Sequence, residues 1–226
     1  MIIDVIIPAF NEANAVGKVV AAIPDFVRNI IVVNNNSKDN TRAVSLHAGA
    51  VVLDEKQKGY GKACLKGLSY LEGLSISPDV VVFLDADYSD FPEEMDALIQ
   101  PILNDKMDMV IGSRARGNRE RGAMTLPQVF GNWLAIKLMQ KFFKASFSDL
   151  GPFRAIKWKS LKTLDMTDEN YGWTIEMQIK AVKYGLNYTE VPVSYRKRIG
   201  VSKVSGTIKG VIGAGYKILW TIWKYR

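Results

Sequence analysis

Short apolar runs that alternate with stretches of helical periodicity constrain this chain more than any other feature. Val5–Pro8, Ile30–Val33, Val51–Leu53, Val80–Leu84 and Met109–Ile111 read as buried strands. Between the first four lie helical patterns at about 12–22, 41–48 and 61–73. This succession predicts an α/β fold with a mostly parallel sheet covered by helices on both faces. Gly49 follows the second helical pattern, where a left-handed C-cap is expected. Pro101 predicts a bend or interruption in a helix near 92–104. Ligands of such sheets bind beyond the carboxyl ends of the strands. The polar segments fall there: Ala9–Glu12, Asn34–Thr41, Asp85–Asp87 and Gly112–Arg114.

The run Val81–Leu84 ends in Asp85-Ala86-Asp87. Side chains alternate along an extended chain, so Asp85 and Asp87 project to the same side. Two neighbouring carboxylates repel unless a cation or hydrogen-bond donors neutralise them. Hard oxygen ligands suit Mg²⁺ or Mn²⁺, and Mg²⁺ typically takes one or two carboxylates plus substrate phosphates. The pair could equally serve the helix start signalled by Pro92, Glu93 and Glu94.

The other turns hold similar alternatives. Asn11 in Pro8-Ala9-Phe10-Asn11-Glu12 reads as a helix N-cap, and Glu12 either accepts from a ribose or base or sits in a first helical turn. Asn34 and Asn35 could bond a nucleobase edge, while Asp39 or Thr41 caps the following helix. Lys58-Gly59-Tyr60-Gly61-Lys62 has glycines that permit backbone approach to phosphate, without the full phosphate-loop pattern. Arg114 could balance a diphosphate.

Beyond residue 115 the pattern changes. Ala115–Ala123 is rich in glycine and charge and reads as a mobile loop. A helix follows around 127–145, with Leu134, Leu138, Phe142 and Phe143 at core spacing. A second helix spans about 172–184, and Leu186–Tyr195 looks like a strand. The end, Ile208–Arg226, alternates apolar positions with Lys209, Lys217 and Lys224 and carries Trp220, Trp223 and Tyr225. It either lies in a lipid headgroup region or docks on the core, as Gly210, Gly213 and Gly215 would allow.

The 226 residues suit one domain, and no long linker or repeat divides them. Cys64 is the only cysteine, which excludes an intrachain disulfide and fits a reducing compartment. Neither a secretory leader nor a transmembrane stretch is expected. The net charge of +7 is weighted to the second half, where an anionic membrane, a phosphorylated substrate or nucleic acid could be attracted.

Taken in order, P-A-F-N-E, N-N-N-S-K-D-N-T, G-Y-G-K-A, D-A-D, G-S-R and R-I-G-V-S-K resemble the inverting family-two glycosyltransferases of GT-A fold. The set is more closely similar to the dolichol-phosphate mannosyltransferase-like and polyprenyl-phosphate glycosyltransferase branch. The resemblance covers nearly the whole chain. It implies a three-layer α/β domain with a mostly parallel, mixed central sheet. Residues up to about 114 would form the nucleotide-sugar half and residues from about 115 the acceptor half.

By this resemblance Pro8, Phe10, Glu12, Asn34, Asn35, Asp85, Ala86, Asp87, Arg114, Arg198 and Lys203 bind the donor, and Asp85 and Asp87 hold Mg²⁺ or Mn²⁺. Ser89 stands where some relatives have a Gln ligand. Asp149, in the segment Asp149–Arg154, and Glu176, in Tyr171–Met177, join Asp87 and Arg114 as catalytic candidates. Arg198, Ser202 and Lys203 match R-x-x-G-x-S-K with one residue fewer between Arg and Gly. The implied reaction moves a sugar from a GDP- or UDP-sugar to polyprenyl (dolichyl-type) phosphate. The enzyme would be peripheral at the cytoplasmic membrane face, with an anionic membrane surface rather than nucleic acid as partner. A hydroxyl acceptor is the alternative and would need Asp149 or Glu176 as base. Sugar, base and oligomeric state stay open.

Overall fold

The computed structural model describes residues 1–104, 106–202 and 208–226. The strands are β1 (Ile3–Ala9), β2 (Val27–Asn34), β3 (Val51–Asp54), β4 (Val80–Phe83), β5 (Met109–Ser113), β6 (Arg154–Lys157) and β7 (Tyr188–Pro192). The helices are α1 (Val16–Ala21), α2 (Thr41–His47), α3 (Tyr60–Glu72), α4 (Met95–Asn104), α5 (Leu126–Phe143), α6 (Trp158–Leu164), α7 (Trp173–Lys183) and α8 (Ile208–Tyr225). A short 3₁₀ turn, Pro92–Glu94, leads into α4. Among the described residues the strands form one sheet in the order β3-β2-β1-β4-β6-β5-β7.

All pairings in that sheet are parallel except those of β6, which runs antiparallel to β4 and β5. The six expected strands are present, and the sheet is mostly parallel and mixed as expected. Alternation along β1 sends Ile6 to one hydrophobic core and Val5 and Ile7 to the other, so both faces are dry and covered. Trp173 of α7 packs edge-on against Phe83, ring centroids 5.8 Å apart. Emptying such a site costs about 3–5 kcal/mol.

The departures are local. β6 and α6 carry no strong period, because Arg154-Ala155-Ile156-Lys157 is short and charged at both ends. α1 begins at Val16 rather than near 12, and Asn11 is no N-cap: it sits at φ +55°, where its Oδ1 accepts from Lys38 N. Gly49 has φ +92°, the left-handed end foreseen for α2. A capping box of Thr125 and Gln128 starts α5. Leu138, Phe142 and Phe143 pack on the core as expected, but Phe130 and Trp133 of the same helix are exposed.

Candidate active site

The carboxyl ends of β1 and β4, the start of α3 and the segment after β7 enclose a cavity of about 380 Å³. Pro8, Phe10, Glu12, Asn35, Asp85, Ala86, Asp87 and Arg198, all among the residues for which the resemblance implies donor binding, line it. Lys58 and Tyr60, from the segment 58–62 noted for its glycines, also line it, as do Ser202 and Tyr171. The Lys58 ammonium stands 4.9 Å from the centre of the Phe10 ring, leaving a cation and an aromatic face together at the rim.

Asp87 is buried and fully engaged. Its Oδ1 accepts from Ser89 N at 2.9 Å and Ser89 Oγ at 2.5 Å, and its Oδ2 lies 3.1 Å from Arg198 Nη1. Arg198 Nη2 is 2.8 Å from Glu12 Oε1. The guanidinium therefore bridges two acids across the cavity. Asp85 Oδ1 accepts from Tyr60 OH at 3.2 Å. Burial, then the charge of Asp87, push the Asp85 carboxyl up to about 7 against the pull of Arg198.

This donor set suits a divalent cation that arrives with a ligand of its own. Among the described residues no cluster of three or more His, Cys, Asp or Glu side chains forms a cage. The Ser89 hydroxyl donates to Asp87 at 2.5 Å. Two carboxylates remain, one with its proton held near neutrality, and substrate phosphate oxygens would complete the shell.

Several predicted donor residues stand elsewhere. Asn34 lies outside the cavity, where its Nδ2 donates to Asp54 Oδ1 at 2.8 Å and its Oδ1 accepts from Ser37 N. Asn35 lines the wall, yet its amide holds the 55–59 turn by donating to Gln57 O and accepting from Gly59 N. The N-cap of α2 is Asn40, without a side-chain cap bond, so neither Asp39 nor Thr41 caps it; Asp39 accepts from Thr41 N and Ala13 N. Gly59 and Gly61 admit protein rather than phosphate. A Cβ on either would collide with the carbonyl oxygens of Glu169 and Asp168. Lys203 lies outside the described residues.

Arg114 also stands outside that cavity. Its Nε and Nη2 clasp Asp149 Oδ2 and Oδ1 at 2.8 and 2.7 Å, and its backbone N donates to Oδ2. Burial works against the charge of Arg114, but Asp149 outweighs it and the guanidinium titrates above its ordinary value. Both oxygens of Asp149 are thus occupied, which removes it as a ready base. Glu190, unnoticed in the sequence, fixes this pair by accepting from Ser148 N, Ser148 Oγ and Asp149 N.

Glu176 is likewise no free base. It accepts from Thr167 Oγ1, Asp168 N and Tyr225 OH at 2.8, 2.7 and 2.7 Å, and it pairs with Lys180 at 2.9 Å. Burial raises its carboxyl, but these donors prevail and it titrates below the ordinary value. Arg154 is wholly buried and, among the described residues, donates to carbonyls of Leu150, Gly151 and Thr174. Burial lowers it to about 10.

A second cavity of about 350 Å³ opens between α5 and α8. Its wall is largely apolar, with Phe130, Leu134, Leu150, Val211, Ile218 and Leu219, and Arg114 stands in it.

Residues 4–165 match the sequence profile described as "Glycosyl transferase family 2". The chain is 30% identical over 206 residues to a dolichyl-phosphate hexose transferase of Haloferax volcanii, spanning 88% of this chain and 85% of the relative. It is 30% identical over 217 residues to the UDP-N-acetylglucosamine–dolichyl-phosphate N-acetylglucosaminyltransferase of Methanococcus voltae, spanning 85% and 84%. Among solved structures, glucosyl-3-phosphoglycerate synthase from Mycobacterium tuberculosis, in complex with Mn²⁺, UDP and glucosyl-3-phosphoglycerate, superposes with a TM-score of 0.80 at 21% identity. That match covers 99% of this chain and 79% of the other, and it shows the GT-A fold.

Proposed function

The chain belongs to glycosyl transferase family 2, and on that premise we propose that it transfers a sugar from a UDP-sugar to polyprenyl phosphate, with inversion, at a membrane surface. The apolar groove between α5 and α8, with Arg114 in its wall, is the observation that carries this reading. A hydroxyl acceptor needs a base to take its proton. The two candidates, Asp149 and Glu176, are both held by fixed donors. A phosphate is already anionic near neutral pH and needs little such help. The names of two relatives carry dolichyl phosphate as acceptor, and UDP figures in one relative and in the solved neighbour. Both support the same pairing of donor and acceptor.

In this reading Phe10 and Lys58 receive the nucleoside and Arg198 turns from Asp87 and Glu12 to the diphosphate. Asp85 and Asp87 hold Mg²⁺ or Mn²⁺, which when bound supplies positive charge for the departing UDP. Arg114, kept in place by Asp149, presents its charge to the acceptor phosphate. An acceptor oxygen bonds to the anomeric carbon as the bond to UDP breaks on the opposite face, which inverts the configuration.

Exposed Phe130 and Trp133 on α5, and Tyr216, Trp220 and Trp223 on α8, would rest at the lipid surface beside Lys224. Among the described residues no helix is long and apolar enough to cross a membrane, so attachment at the cytoplasmic face is peripheral in this reading. The test is a panel of UDP- and GDP-sugars with Mn²⁺, with and without polyprenyl phosphate, analysed by product mass. A glycosylated polyprenyl phosphate is expected. Transfer to a soluble hydroxyl compound, with none to polyprenyl phosphate, would overturn the acceptor.

A further inference from the structure

The turn Thr167–Gly172 is fastened on two sides. On one side it meets the donor cavity. Gly61 N donates to Asn170 O and Lys62 N to Glu169 O at 3.2 and 2.9 Å, Lys62 pairs with Glu169 at 3.1 Å, and Tyr171 lines the wall. The glycines at 59 and 61 exist for this approach, since a side chain at either would strike the turn's carbonyls. On the other side it meets α8. Asp168 Oδ2 lies 2.8 Å from Lys217 Nζ, and a Cβ on Gly172 would come 2.7 Å from Thr221 Oγ1.

Asp168 joins the two sides through different oxygens. Its Oδ1 accepts from Asn170 N and Gly172 N at 2.8 and 3.0 Å, which shapes the turn from within. Its Oδ2 reaches outward to α8. With only 9% of Asp168 exposed, the ion pair is poorly replaced by water, and its loss leaves a carboxylate oxygen without its cation. Tyr225, near the end of α8, adds a second tie through Glu176, which also accepts Asp168 N.

We propose that Asp168 is a positioning residue that ties the acceptor-side helix α8 to the wall of the donor cavity, so that seating of α8 and binding of the nucleotide favour each other. The idea rests on reading the 380 Å³ cavity as the donor site. Linkage makes the effect reciprocal. An acceptor or lipid surface that orders α8 steadies Tyr171 and the start of α3, and a bound nucleotide steadies α8 in return.

Lys217→Met separates this link from the turn, because the bonds to Oδ1 do not involve α8. Hydrogen exchange on the whole protein should show Gly61 and Lys62 amides exchanging about tenfold faster in Lys217→Met, with β1 amides unchanged. Titration with UDP and Mn²⁺ should show affinity weakened about fivefold, at the low end of typical couplings, and the loss should appear in donor KM rather than kcat. Lys217→Arg should restore both, and UDP with Mn²⁺ should slow exchange in wild-type α8. Unchanged exchange at Gly61 and Lys62 overturns the link. Faster exchange with unaltered nucleotide affinity overturns its bearing on donor binding. If the wild-type protein binds neither UDP nor GDP with Mn²⁺, the donor reading falls and the coupling to nucleotide falls with it, while exchange at Gly61 and Lys62 still decides whether α8 is tied to the cavity wall.

Discussion

Arg198 spans the donor cavity to Asp87, its Nη1 3.1 Å from Oδ2, while its Nη2 holds Glu12 at 2.8 Å. One cation therefore stands where two acids would otherwise face each other, and it is the side chain that a diphosphate with its own metal would compete for. Asp87→Ala should remove the inner anchor of both arrangements. Turnover is expected to fall by at least about 10²-fold, the scale of losing one preorganised charge contact at a reacting diphosphate, with circular dichroism unaltered. Full activity of a folded Asp87→Ala protein, after chelation and restoration of Mn²⁺, would take Asp87 out of the site.

Proton release should accompany metal binding. The Asp85 carboxyl sits at about 7, raised by burial and by Asp87, so a cation that favours the ionised form must displace a proton. Apparent Mn²⁺ affinity in the presence of UDP is expected to climb with pH from about 6 to 8 and then level off. The sign for stability is the opposite without metal. A carboxyl raised in the folded state contributes stability that is complete below its unfolded value and is lost as pH rises through about 7. Calorimetry in two buffers of different ionisation enthalpy measures the released proton. Identical heats in both buffers at pH 7 would contradict the linkage.

Arg196 should govern metal affinity without touching the metal. Its guanidinium lies between the rings of Tyr88 and Phe91, 3.4 and 4.0 Å from their centres, and donates to the carbonyls of Tyr88 and Asp90. Ile199 N adds a bond to Asp87 O at 3.0 Å. Arg196→Met deletes the charged donors and keeps much of the packing. The Mn²⁺ concentration for half-maximal activity is expected to rise about tenfold, the equivalent of one or two lost charge-assisted bonds. A change in melting temperature alone, with unchanged Mn²⁺ dependence, would reduce Arg196 to packing.

Lipid attachment should depend on the paired tryptophans of α8. Trp220 and Trp223 lie 4.9 Å apart with both rings exposed. Lys224 beside them contributes roughly 1 kcal/mol at an anionic surface, less as salt screens it. Co-sedimentation with anionic liposomes is expected to fall on Trp220→Ala/Trp223→Ala and on raising salt. Wild-type protein that ignores such liposomes at low salt would remove the membrane from the picture.

What could be read from the sequence was whatever depends on neighbours along the chain. The strand ends that carry Pro8, Phe10 and Asp85–Asp87 were legible because apolar runs mark where strands stop and polar turns begin. The roles of Asp149 and Glu176 were not. A carboxylate in a motif is visible, but the donor that engages it is not: Arg114 reaches Asp149 across 35 residues and Tyr225 reaches Glu176 across 49. The same holds for Gly59 and Gly61. Their spacing signals close approach, yet only the folded chain shows that the approaching group is the backbone at Asp168 and Glu169.

The place of β6 bears on how the protein can be made. This strand, from residues 154–157, lies between β4 and β5, both of which are synthesised earlier. During translation the first 113 residues therefore emerge with two strands that cannot yet find the partner between them. Until β6 leaves the ribosome, β4 exposes an apolar edge of the kind that invites pairing with other chains. A nascent chain halted near residue 114 should bind chaperones or aggregate, and the first 114 residues expressed alone are expected to be insoluble.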